Sequence, residues 1–143
     1  MGGHAIVFGA SGVTGWGTAN ALLSDYPTKD AFDRITTLTN RPLSAEDALW
    51  PASDKLTVVS GLDLMADQAE LEKSLCERVP SVETVSHVFF FAYIMDPDAQ
   101  KEVRINVDIL RKAVTAVDRL SERLVSVVLP TGVKVCSPRT VLC

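Results

Sequence analysis

Cysteine is scarce in this chain. The three present, Cys76, Cys136 and Cys143, cannot all pair with one another, and none stands at metal-ligand spacing from a second. The two histidines, His4 and His87, are isolated as well. A metal site is therefore not expected, and reduced thiols in a cytoplasmic protein are. Cys76 falls in an amphipathic stretch and reads as a small core residue. Basic charge is also lacking: the formal net charge of -4 offers no general surface for nucleic acid, although a local basic pocket for a phosphate stays open. Long apolar runs are missing too. Val88 to Ala92 and Leu124 to Leu129 are far too short to span a membrane, and no basic segment leads into an apolar leader. No repeat, low-complexity tract or internal linker interrupts the chain. With 143 residues, 47% hydrophobic and 22% charged, one globular domain with a real core is expected.

What is present begins with Ile6-Val7-Phe8-Gly9-Ala10-Ser11-Gly12-Val13-Thr14-Gly15. A short apolar strand runs into a glycine-rich turn, and a helix enters at Val13. Glycine takes positive φ without a penalty and lets a ligand approach the main chain. Gly9 would make the tight turn, Gly12 would admit a pyrophosphate, and Gly15 would let helix and strand pack closely. The first helical amides, with Ser11, Val13 and Thr14, would face the phosphates. The alternative is a strand-to-helix turn that binds nothing; the flanking strand and helix favour a dinucleotide site.

A second strand, Ile35 to Thr39, is β-branched and ends at Asn40-Arg41-Pro42. An acidic residue at such a strand end would bind adenosine ribose hydroxyls, whereas an arginine accommodates a 2′-phosphate. Arg41, with no carboxylate beside it, argues for NADP(H) over NAD(H). Pro42 to Asp54 reads as a loop with at most one helical turn, and Trp50 as a cap on the core edge. A third strand, Leu56 to Ser60, leads to Asp63, for which two readings stand: a contact to the adenine amino group, or a turn residue.

Ala66 to Val79 reads as a helix with Leu71, Leu75 and Val79 inward. The fourth strand, His87 to Ala92, is nearly all apolar, as in a parallel sheet buried on both faces. Tyr93 beyond it is a candidate to line a pocket, with packing as the plainer role. Asp96-Pro97-Asp98 starts a helix that carries a stripe of Val103, Val107, Leu110, Val114 and Val117. Asn106, beside that stripe, either bonds the neighbouring backbone or marks the edge of the face. A fifth strand, Leu124 to Leu129, completes a Rossmann-like doubly wound α/β fold with strand order 3-2-1-4-5.

These segments together resemble the short-chain dehydrogenase/reductase superfamily in its extended or atypical branch. Gly9-Ala10-Ser11-Gly12-Val13-Thr14-Gly15 matches a GxxGxxG fingerprint, and Arg104 to Leu110 is similar to its NVxGTxxLL segment. Thr39 to Pro42, His87 to Tyr93 and Leu129 to Lys134 resemble the progesterone 5β-reductase/iridoid synthase-like group. That resemblance implies NADPH-dependent reduction of an activated C=C bond in a small enone or enal, and it makes Lys134 the matching catalytic position. It covers residues 1–134 as a dinucleotide-binding domain and leaves 135–143 as a non-family tail.

The family's catalytic tyrosine follows its lysine, whereas Tyr26 and Tyr93 both precede Lys134. The C-terminal strands and the substrate region of the family are expected to be missing. Three functions are therefore carried: a reductase of a small enone, aldehyde or ketone; a non-redox nucleotide-binding, cyclase- or isomerase-like member; and an inactive fragment. An uncovered flank after the fifth strand leads to a further expectation, a homodimer or a partner chain that completes the sheet.

Overall fold

The computed structural model describes residues 2–130. Lys134 and the 135–143 tail lie outside them. β1 (Gly3–Phe8) leads into α1 (Val13–Leu23), and β2 (Phe32–Thr39) and β3 (Leu56–Ser60) follow. Next come α2 (Gln68–Arg78), a 3₁₀ turn at Val82–Thr84, β4 (His87–Phe90), α3 (Ala99–Leu120) and β5 (Ser126–Val128). All four strand pairings are parallel, and the sheet order is β3-β2-β1-β4-β5. The α/β Rossmann-like fold and its strand order are as the sequence predicts. The second strand starts earlier than expected, at Phe32, while β4 and β5 are shorter than their apolar runs.

Side chains alternate across a strand, so β1 serves two cores at once. Ala5 and Val7 pack with Ala19, Leu22, Phe32, Ile35 and Trp50 on the α1 face. Ile6 and Phe8 pack with Leu71, Leu75, Val88, Phe90 and Ile109 under α2 and α3. Each of these fully buried large side chains contributes roughly 1.5–3 kcal/mol. The inward residues of α2 are the expected ones, and Asp67 caps it by accepting the Glu70 amide at 2.9 Å. Asp98 caps α3, accepting from the amides of Gln100 and Lys101.

Two expectations about helix faces are corrected. Of the predicted α3 stripe, Val117 is buried and Leu110 packs against the core, whereas Val103 and Val107 are 63% and 58% exposed; Ile109, Ala113 and Ala116 are buried instead. The buried stripe lies roughly a third of a turn from the predicted one, given 3.6 residues per turn. Both stripes have helical spacing. Cys76 is exposed rather than a core residue, because Leu75 takes the inward position beside it.

No helix joins β2 to β3. A loop crosses the α1 face instead, folded into a turn at its far end: the Ala48 amide donates to the Ser44 carbonyl and the Trp50 amide to the Ala45 carbonyl. Trp50 is buried and closes the core there. β5 pairs with β4 on one side, and among the described residues its other edge meets no strand. Val125, Val127, Val128 and Leu129 are all exposed. No helix among the described residues is long and apolar enough to cross a membrane.

A titratable side chain is buried inside the sheet among polar neighbours. His4 of β1 is 3% exposed, with Nδ1 at 3.0 Å from Thr84 Oγ1 and Nε2 at 2.9 Å from Thr36 Oγ1. Burial, and then the charge of Arg34, lowers its pKa from the ordinary 6.5, against weaker opposing effects from the Ser81 backbone and Glu83. The neutral ring is the form the fold accommodates. Its contribution to stability is complete above the unfolded value near 6.5 and is lost as pH falls through the lowered folded-state value. Urea unfolding should therefore show stability declining with acidity between about pH 7 and pH 5, a slope that His4→Gln flattens. Parallel pH profiles for the two proteins would show that His4 does not carry it.

Candidate functional site

The geometry of the site is set by a turn that has no room for side chains. Gly9 has φ +74, and its amide and that of Ala10 both donate to the Leu38 carbonyl of β2. A Cβ at Gly9 would stand 2.5 Å from the Ala92 amide nitrogen, and one at Gly15 would stand 2.3 Å from the Gly9 carbonyl oxygen. Packing of the protein alone requires these two glycines. Gly12 is different: a Cβ there would meet only the Gly9 carbonyl oxygen, at an ordinary 3.5 Å. Nothing among the described residues fills the space that Gly12 leaves.

Gly12 is also the N-cap of α1, which has no side-chain cap and no acidic residue in its first turn. α2 and α3 both have an aspartate in that role. The amides of the first α1 turn are therefore left to an external acceptor, with the positive end of the helix dipole behind them.

In front of this helix start lies a cavity of about 520 Å³, whose lining includes Gly9, Ser11, Gly12, Arg41, Asp63 and Tyr93. A second cavity of about 340 Å³ takes Val13, Thr14 and Gly15 into its wall and shares Gly12 and Tyr93 with the first. The predicted glycine-turn residues, Arg41 and Asp63 are thus brought to one groove at the carboxyl ends of the strands. It opens between β1 and β4, where the strand order reverses, the usual ligand position in open α/β sheets.

The walls differ in chemistry. At the end of β2, Thr39 Oγ1 donates to the Arg41 carbonyl at 2.7 Å and shapes the turn, while the Arg41 side chain is exposed and has no partner among the described residues. Asn40 stands beside it, with no carboxylate adjacent in the chain. Asp63 has the turn role of its two sequence readings, accepting the Met65 amide at 2.8 Å, and it also lines the cavity. An uncapped helix start and a guanidinium unpaired among the described residues border one groove, where they could hold a ligand with two anionic groups. The space at Gly12 and these donors fit a phosphate-bearing dinucleotide.

Beyond β4, Tyr93 lines the groove, as one of its two sequence readings has it. Tyr93 donates its hydroxyl to Glu102 of α3, and this bond, followed by partial burial and the carboxylate charge, raises the pKa of the phenol. Asn106 bonds the backbone, the first of its two readings. Its Nδ2 donates to the Ile94 carbonyl at 2.8 Å, and its Oδ1 accepts the Ile94 amide at 2.9 Å. The loop that forms the groove wall is thereby tied to α3. Glu102 was not singled out from the sequence, because an acid in the first turn of a helix is too common a pattern to mark a site. No cluster of His, Cys, Asp and Glu suited to a metal ion occurs among the described residues.

Comparison with known proteins agrees with this geometry. A family model described as a PRISE-like Rossmann-fold domain matches residues 5–139. Short chain dehydrogenase sirQ of Leptosphaeria maculans is 40% identical over 130 residues, covering 90% of this chain and 33% of that protein. Short chain dehydrogenase ausT of Aspergillus calidoustus is 36% identical over 132 residues, covering 90% and 32%. The chain therefore spans about a third of the length of these relatives. A crystal structure described as a carbonyl reductase, Sniffer of Caenorhabditis elegans, superposes with a TM-score of 0.63 at 15% identity. It covers 84% of this chain and 54% of that one, a likeness of fold.

The two kinds of glycine are separable by mutation. Gly15→Ala should cost about 1–3 kcal/mol in urea unfolding, since backbone must move. Gly12→Ala should cost less than about 1 kcal/mol, the loss of a favourable N-cap residue. Equal costs would mean that Gly12 is also held by packing.

Proposed function

The chain belongs to the PRISE-like Rossmann-fold domain family of short-chain-dehydrogenase-like proteins, and from that premise we propose that it binds NADPH as the dinucleotide-binding part of a reductase. A nicotinamide cofactor follows from the family; the choice of NADP(H) over NAD(H) is the proposal. The observation that carries it is the placement of Arg41, unpaired among the described residues, on the same cavity as the uncapped start of α1. A pyrophosphate at the helix start and a 2′-phosphate at Arg41 would satisfy both ends of the groove with one ligand.

The roles follow from position. Gly9 and Gly15 shape the turn; Gly12 admits the pyrophosphate; the backbone of Ser11, Val13 and Thr14 donates to it. The Asp63 carboxylate oxygen left over from the Met65 amide accepts from the adenine amino group. Tyr93, on the wall common to both cavities, borders the nicotinamide half. Lys134, outside the described residues, is assigned by family resemblance to the nicotinamide ribose. The bound cofactor supplies a hydride; the chain's part is to orient it and to exclude water from the groove. The substrate is assigned as a small enone, aldehyde or ketone. The relatives' names as short chain dehydrogenases support the reductase class, and the resemblance to the progesterone 5β-reductase/iridoid synthase-like group supports the enone.

Calorimetric titration tests the phosphate assignment. NADPH should bind more tightly than NADH. Arg41→Ala should weaken NADPH by about 10- to 100-fold, the range for a lost charge-assisted hydrogen bond, and change NADH by less than about twofold. Equal losses for the two nucleotides would refute it.

A further inference from the structure

The two tryptophans make a reciprocal contact that the binding roles above do not use. Trp16 is in the first turns of α1, and its amide donates to the Gly12 carbonyl at 2.7 Å. Its indole Nε1 reaches across to the β2–β3 loop and donates to the Ala48 carbonyl at 2.6 Å. Trp50, from the far end of that loop, returns the contact: its Nε1 donates to the Trp16 carbonyl at 3.3 Å. The loop that begins with Arg41 is thus fastened at its other end to the helical turn that starts at Gly12.

The need for a fastening comes from the missing crossover helix. A helix between β2 and β3 would hold this segment through its own ladder of hydrogen bonds. In its place Leu43 packs against the α1-face core, and residues 44–50 close on themselves. Ser44 Oγ accepts the Asp47 amide at 3.0 Å, and Leu49 ends the turn at φ +57. Of these contacts only that of Leu43 relates the loop to the phosphate-facing turn, through the cluster that also holds Ala10 and Ala19, and an apolar contact fixes no direction. The indole bonds do. A buried or half-buried tryptophan keeps its N–H paired, and a carbonyl on another segment is a partner that fixes two elements at once.

We propose that Trp16 and Trp50 are positioning residues for NADPH selectivity: their indole N–H groups hold the Arg41 loop in register with the Gly12 helix start. This inference rests on the reading of Arg41 as the 2′-phosphate ligand. The pyrophosphate and the 2′-phosphate belong to one molecule with limited extension. A loop free to drift by a fraction of an ångström loses the guanidinium contact while the helix start keeps its own. Cutting the clamp therefore weakens NADPH and spares NADH. A tryptophan that only filled the core would affect both nucleotides alike.

Phenylalanine keeps most of the ring and lacks the donor. Trp16→Phe, at a side chain already 38% exposed, is the first variant, and Trp50→Phe is the second. Binding of NADPH and NADH is followed by calorimetry on the 143-residue chain, with thermal melts to confirm folding. The expected result is an NADPH affinity about three- to tenfold weaker, the range for one neutral hydrogen bond, with NADH changed by less than about twofold. In an Arg41→Ala background, Trp16→Phe should change neither nucleotide, because the group it positions is gone. Equal losses for both nucleotides, no loss at all, or an undiminished NADPH effect without Arg41 would overturn the inference and leave the NADPH reading standing. Failure of both variants to fold would also overturn it, since the clamp would then serve stability alone. A wild-type chain that binds both nucleotides equally would remove the NADPH reading itself.

Discussion

Three stretches of main chain meet at Gly9 more closely than any side chain would allow. The Phe91–Ala92 backbone passes on one side and the start of α1 on the other, with hypothetical Cβ contacts of 2.5 Å at Gly9 and 2.3 Å at Gly15. That crowding decides where β1 and β4 lie relative to the helix, and so where α1 points. With α1 starting at the groove, its uncapped first turn borders the cavity, and the reversal of strand order leaves that cavity open. The two cores follow from the same placement, since β1 sends Val7 beneath α1 and Phe8 beneath α2 and α3.

Most of this architecture was legible because the signals are local. Apolar runs of four to six residues mark buried parallel strands, glycine and proline mark their ends, and Asp67 and Asp98 mark helix starts. The strand order then followed from the resemblance and from crossover handedness, which leave few alternatives. What the residues could not show is rotation about a helix axis. α3 carries two adjacent apolar stripes, one of valines and one rich in alanine, and period alone cannot choose between them. The core took Ile109, Ala113 and Ala116 together with Val117 of the valine stripe. The exposure of Cys76 is the same problem in α2, where neighbouring Leu75 fills the inward position.

The candidate site divides in a similar way. Gly12 and Arg41 could be placed on the groove from the sequence because each lies in the turn that follows a strand. Asp63 kept two readings in the sequence, and the structure gives it both a turn bond and a cavity wall. Trp16 carried no signal at all. Its partner, the Ala48 carbonyl, is a backbone atom 32 residues away, and no side-chain pattern records such a contact. Polar contacts to backbone across a loop depend on tertiary placement, so they are the part of a site that a sequence conceals.

Asn106 carries a last consequence. Its amide exchanges a donor and an acceptor with Ile94, as the peptide group of a neighbouring strand would, although Ile94 lies outside every strand. A third bond joins the same Nδ2 to the Glu102 carbonyl one turn back in α3. The Ile94 amide can therefore exchange with solvent only once the Asn106 side chain lets go, a condition that an ordinary loop amide does not face. The groove wall is moored to its longest neighbouring helix.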